Sequence, residues 1–149
     1  MPRTPISTPD APAAIGPYSQ AVRAGGTVYF SGQIPLDPAT GELVAGDITA
    51  QARRAFDNLK AVAEAAGGGL DDIVRVGLYV TDLSEFGQVN AVMAEVFAAP
   101  YPARSTIEVS ALPKDAAFEV DAVHVVSLSS AGAGRSAGRG SGRAGIPGP

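Results

Sequence analysis

The chain contains no cysteine, which removes disulfides, thiolate metal sites and a cysteine nucleophile at once. It has one histidine, His124, so a multi-histidine metal site is excluded as well. No apolar run approaches the length of a membrane span, and none near the N-terminus has the character of a secretory signal. A cytoplasmic protein without membrane contact is expected. Phosphate-binding glycine loops are also missing, because Gly67-Gly68-Gly69 lacks the residues that follow in such loops and reads as a helix stop. No cofactor and no metal are indicated. Charged residues make up only 17% of the chain against 46% hydrophobic ones, a globular balance, and 149 residues suit one domain.

The net charge of −4 hides an asymmetry. Residues 1–126 carry −7, whereas residues 127–149 carry +3 from Arg135, Arg139 and Arg143. An acidic body is a poor binder of phosphate backbones, so a nucleic-acid partner is not expected. The last 23 residues hold seven glycines, five serines and four alanines, too little apolar surface to offset the entropy of ordering them. The expected organisation is a folded domain over 1–126 and a disordered tail over 127–149.

Within the body, Ala21–Ala24 and Thr27–Ser31 predict a hairpin around Gly25-Gly26. A helical period begins after Asp47, a candidate N-cap, and runs through Phe56, Leu59 and Ala63 to a stop at Gly67. Ile73–Val80 predicts a strand with Val74, Val76, Leu78 and Val80 on one face and Arg75, Gly77 and Tyr79 on the other. Phe86–Ala98 predicts a second helix with Phe86, Val89, Met93, Val96 and Phe97 as its core stripe. Strands at 104–110 and 118–126, joined by Leu112-Pro-Lys-Asp115, predict a closing hairpin. The implied class is α+β, a mixed sheet of about six strands with two helices on one face. Its uncovered face is expected to present Arg75, Tyr79, Arg104, Thr106 and Glu108, a set too polar for a monomer core. His124 shares a strand face with Phe118, Val120, Ala122 and Val126, which suits a core or interface residue rather than a catalyst.

Pro102-Ala-Arg-Ser-Thr-Ile-Glu-Val109 carries the most chemical information. A guanidinium at the head of a short strand, with hydroxyls beside it, can grip a small carboxylate through two parallel hydrogen bonds that lysine cannot reproduce. An isolated arginine there would equally suit a surface ion pair. Four further motifs accompany it in order: Ile15-Gly-Pro-Tyr-Ser-Gln20, Ser31-Gly-Gln-Ile-Pro35, Gln88-Val-Asn90, and Leu112-Pro-Lys-Asp115 with Phe118-Glu-Val-Asp-Ala122. Together, from about Pro12 to Val126, they resemble the RidA (YjgF/YER057c) family of imine deaminases.

That resemblance implies a homotrimer with active sites in clefts between subunits, and hydrolysis of 2-imino or 2-enamine acids such as 2-iminopropanoate and 2-iminobutanoate to 2-oxo acids and ammonia. It assigns Arg104 to the substrate carboxylate and Glu119 to the attacking water, with Tyr18 at the cleft. Ser31, Gly32, Asn90 and Thr106 fall to substrate binding. Thr106 stands where the best-known members carry cysteine, and Asp121 where a glutamate is frequent. The segment from Asn90 to Arg104 is shorter than in the archetype. Two other functions stay open: a sensor that binds 2-oxo acids without turnover, and a deaminase for a specialised enamine such as aminoacrylate or 2-aminomuconate. A ribonuclease, an activity attributed to some relatives, is disfavoured by the acidic body.

Overall fold

A computed structural model of the protein describes residues 2–126; the tail expected at 127–149 lies outside the described residues. The chain runs β1 (Thr4–Ile6), β2 (Ala21–Ala24), β3 (Thr27–Gln33), α1 (Ile48–Ala65), β4 (Ile73–Val80), α2 (Phe86–Val96), β5 (Ala103–Glu108) and β6 (Phe118–Val125). The six strands form one mixed sheet in the order β1-β2-β3-β6-β4-β5, with β4 and β5 parallel and the other neighbours antiparallel. This is the α+β arrangement expected. Among the described residues no helix is long and apolar enough to cross a membrane.

Local chemistry explains the helices. Asp47 caps α1, accepting a hydrogen bond from the Ala50 amide at 3.1 Å. Gly67, at a φ of 89°, takes the left-handed turn after it, and the Gly67 and Gly68 amides close back onto the Glu64 and Ala63 carbonyls. Ala52, Ala55, Phe56, Leu59, Val62 and Ala63 turn to the sheet and are buried. Phe56 meets Phe118 at 5.5 Å and the edge of Phe97 at 5.8 Å between ring centroids, so both helices and β6 share one core.

Three expectations need correction. The closing hairpin does not form: β6 pairs with β3 and β4, and β4 separates it from β5. β5 instead returns through α2 to lie parallel to β4, as a crossover connection requires. Arg104, Thr106 and Glu108 are not on the uncovered face. The parallel register sets them beside Val76, Leu78 and Val80, the side of the sheet that the helices cover, while Ser105 and Ile107 share the open face with Arg75, Gly77 and Tyr79. Val74 does not share the buried face of Val76, Leu78 and Val80: it is 49% exposed, because a bulge between Ile73 and Arg75 shifts the alternation and buries Ile73 instead.

Candidate functional site

The residues singled out in the sequence gather into two groups, one on each side of the sheet. On the helix side, Arg104 projects from edge strand β5 towards α2. Its Nη1 donates to Asn90 Oδ1 at 2.6 Å and approaches Met93 Sδ at 3.5 Å, and its guanidinium carbon stands 4.9 Å from the centre of the Phe86 ring. Asn90, Met93, Ala94, Tyr101, Pro102 and Arg104 line an open cavity of about 400 Å³. Among the described residues the guanidinium has no acidic partner, since the one ion pair there joins Arg53 to Glu95. Arg104 is therefore no surface ion pair. It is a cation oriented by an amide, an aromatic face and a thioether, with donors left for an anion. Thr106 lies two residues further on the same face, half-buried and outside the cavity wall.

Glu119 lies on the open face of β6, which the register places opposite Tyr79. Its carboxyl covers Gly32 so closely that a Cβ there would come within 2.8 Å of Glu119 Cδ. A bulge in β3 between Phe30 and Gln33 carries Ser31 and Gly32. Ser31 is fixed by its hydroxyl donating to the Ser19 carbonyl at 2.6 Å, and its amide donates to the Gln20 carbonyl at 3.0 Å. Burial, and after it the negative charge of Asp121, pushes the Glu119 pKa above the usual glutamate range. A carboxyl so placed can hold and release a proton nearer neutrality than an exposed one.

Tyr18 is 54% exposed and borders a cavity of about 380 Å³ together with Gly32, Ile34, Leu36, Pro113 and Lys114. The segment before it is fastened by buried Gln20, whose Nε2 donates to the carbonyls of Pro12 at 2.8 Å and Thr8 at 3.1 Å, while its Oε1 accepts from the Thr8 amide at 2.7 Å. Within one chain the structure thus joins Arg104 to Asn90, and Glu119 to Gly32 beside Ser31 and Tyr18. It does not join Arg104 to Glu119, which occupy opposite faces of the sheet with β4 between their strands. Sequence reasoning missed Phe86 and Met93 as partners of Arg104, since both fit the apolar stripe of α2. It also missed Lys114, whose left-handed φ of 58° has no mark in its residue type. Among the described residues no three His, Asp or Glu side chains converge as metal ligands.

Comparison with known proteins gives the family. Residues 8–126 match the family model described as Endoribonuclease L-PSP. A 2-iminobutanoate/2-iminopropanoate deaminase of Escherichia coli is 50% identical over 123 residues, covering 80% of this chain and 95% of that relative. A RutC family protein of Pyrococcus horikoshii is 49% identical over 118 residues, covering 79% of this chain and 94% of its own length. The crystal structure of RidA from an Antarctic Psychrobacter superimposes with a TM-score of 0.80 at 47% identity, covering 83% of this chain and 99% of that one. With a shared fold and close identity over nearly all the described residues, the chain belongs to the RidA (YjgF/YER057c) family.

Proposed function

We propose that this protein hydrolyses reactive 2-imino and 2-enamine acids, such as 2-iminopropanoate and 2-iminobutanoate, to 2-oxo acids and ammonia. The observation that carries it is the Arg104 guanidinium, held by Asn90 and Phe86 at a cavity and without an acidic partner among the described residues. A bidentate clamp on the substrate carboxylate fixes the C=N carbon relative to the protein, and positioning of this kind supplies much of the acceleration of a hydrolysis. Glu119 takes the role of base for the attacking water, Tyr18 borders the cleft, and Ser31 and Gly32 admit the substrate close to the backbone. Thr106, two residues beyond Arg104 on the same face, has a place in substrate binding only if the substrate extends past the cavity wall. Because one chain keeps Arg104 and Glu119 on opposite faces, the working site is shared: the Arg104 half of one subunit faces the Glu119 half of the next in a homotrimer. The activity printed for the Escherichia coli relative supports the reaction class.

The same separation favours one other function. A chain that never assembles offers the carboxylate clamp without the base, which would make a 2-oxo acid sensor. The deciding experiment follows the decay of 2-iminopropanoate, generated in situ by an amino acid oxidase and trapped with semicarbazide. Accelerated decay with the intact protein, lost in Arg104→Ala by a factor of about 100 or more, is the expected result. Binding of pyruvate with no acceleration identifies the sensor. Acceleration confined to a bulky enamine identifies a specialised deaminase.

A further inference from the structure

Gly32 and Gly77 lie on the two strands that flank β6, and each leaves room for one carboxyl of that strand. A Cβ on Gly32 would press on Glu119; one on Gly77 would meet the Asp121 carboxylate and stand 2.7 Å from the Tyr79 hydroxyl oxygen. Glu119 and Asp121 are two residues apart and so share the open face. In the register Tyr79 stands opposite Glu119 and Gly77 opposite Asp121, and from there the Tyr79 hydroxyl donates diagonally to Asp121 Oδ2 at 3.0 Å. Asp121 is therefore not a free surface carboxylate. A neighbouring strand provides both the donor that fixes it and the missing side chain that makes room for it.

The other charged groups near this face are engaged elsewhere. Arg75 of β4 turns to β5, where its Nη2 donates to Ser105 Oγ at 3.1 Å. Lys114, from the loop before β6, reaches the Gly41 carbonyl at 3.4 Å. β3 presents Gly32 and Tyr29 and no ionised side chain. Among the described residues neither carboxylate is in an ion pair, so the charge of Asp121 reaches Glu119 uncompensated.

We propose that Asp121 is a positioning residue for Glu119: fixed by Tyr79 over Gly77, it holds a second negative charge beside the Glu119 carboxyl and makes that carboxyl a donor as well as an acceptor of the reaction's proton. This rests on the hydrolysis proposed above. There, the water oxygen bonds to the C=N carbon while Glu119 takes a water proton. Glu119 returns that proton to the nitrogen, giving a carbinolamine; it then takes the hydroxyl proton and passes it to nitrogen as the C–N bond breaks and the carbonyl forms, so ammonia leaves with both water hydrogens. A carboxylate of ordinary acidity accepts that proton poorly, whereas one crowded by a like charge accepts it more readily and still returns it to the more basic nitrogen.

A carboxyl ¹³C NMR titration of the full chain tests the pairing directly, because it reads Glu119 whether or not an imine turns over. Asp121→Asn keeps the acceptor for Tyr79 and removes the charge, and the Glu119 midpoint is expected to move to lower pH. Asp121→Glu should hold the midpoint near that of the unaltered protein. The acidic limb of the kcat profile should follow the same shift while KM stays put. An unmoved Glu119 midpoint in Asp121→Asn overturns the proposal, whatever the activity. If that variant fails to fold, Tyr79→Phe frees Asp121 to swing into solvent; the same downward movement is expected, and its absence overturns the proposal equally. An unaltered protein that hydrolyses no imine overturns the reaction alone, since the titration still decides the pairing.

Discussion

His124 shows what a single residue can reveal at this scale. Its ring is fully buried against Phe30, 5.2 Å between centroids, and neither ring nitrogen has a hydrogen-bond partner among the described residues. Burial pushes its pKa below the ordinary histidine value; Asp72 opposes that push and Arg23 adds to it. The native ring is neutral, so below about pH 6.5 the unfolded chain binds a proton that the folded one refuses. Stability from this group is complete above that pH and drains away as the pH falls, by up to about 1.4 kcal/mol per pH unit until the folded value is reached. Urea midpoints should drop between neutral pH and pH ~5, and His124→Phe should flatten that drop. An unchanged slope in the variant would move the effect to other groups. His124 was legible from its strand face alone as a core or interface residue, and the structure puts it in the core. Phe86 and Met93 were not legible as partners of Arg104, because a residue lining a site from the edge of a helix has the same spacing as one filling the core.

Elements were legible where their chemistry is local. The Asp47 cap and the Gly67 stop bound α1 in the sequence as in the structure, and Asp47→Ala should cost about 1 kcal/mol of stability in urea unfolding. A loss well below that would mean another group caps the Ala50 amide. What stayed hidden depends on partners distant in sequence. β1 has three residues, one of them proline, too short to show an alternation; it exists only because Ala21–Arg23 offers it a register. The bulges at Ser31-Gly32 and around Val74 reset which residues face the core, and nothing in their own side chains announces that. The place of β5 was hidden for the same reason. Adjacency in sequence suggested pairing with β6, whereas the α2 crossover delivers it to β4 and so turns Arg104 to the helix side.

At the scale of the molecule, the open face of the sheet exposes Tyr29, Ile107 and Val125 at roughly half their full area, beside the polar set of Arg75, Tyr79, Glu119 and Asp121. A trimer assembled through this face would bury those apolar groups and bring Glu119 to a neighbour's Arg104. Mixing Arg104→Ala chains with Glu119→Ala chains checks this without any new contact. Each variant alone should be inactive, yet after dissociation and random reassembly about a quarter of the sites in a cyclic trimer would pair an intact arginine with an intact glutamate. Activity near that fraction of the unaltered protein is expected, and none at all would confine the site to one chain. On the proposed reading, the two-sided placement of Arg104 and Glu119 makes assembly a condition of turnover.

The clamp proposed at Arg104 would have a consequence for throughput. Its donors, oriented by Asn90 and Phe86, would on that reading hold the carboxylate of a 2-imino acid. A 2-oxo acid keeps that carboxylate after ammonia has gone, so under the proposed reaction the arginine would grip product as well as substrate. Release would then be the step that accumulating product slows, and an enzyme working this way would throttle itself when its output is not drawn off.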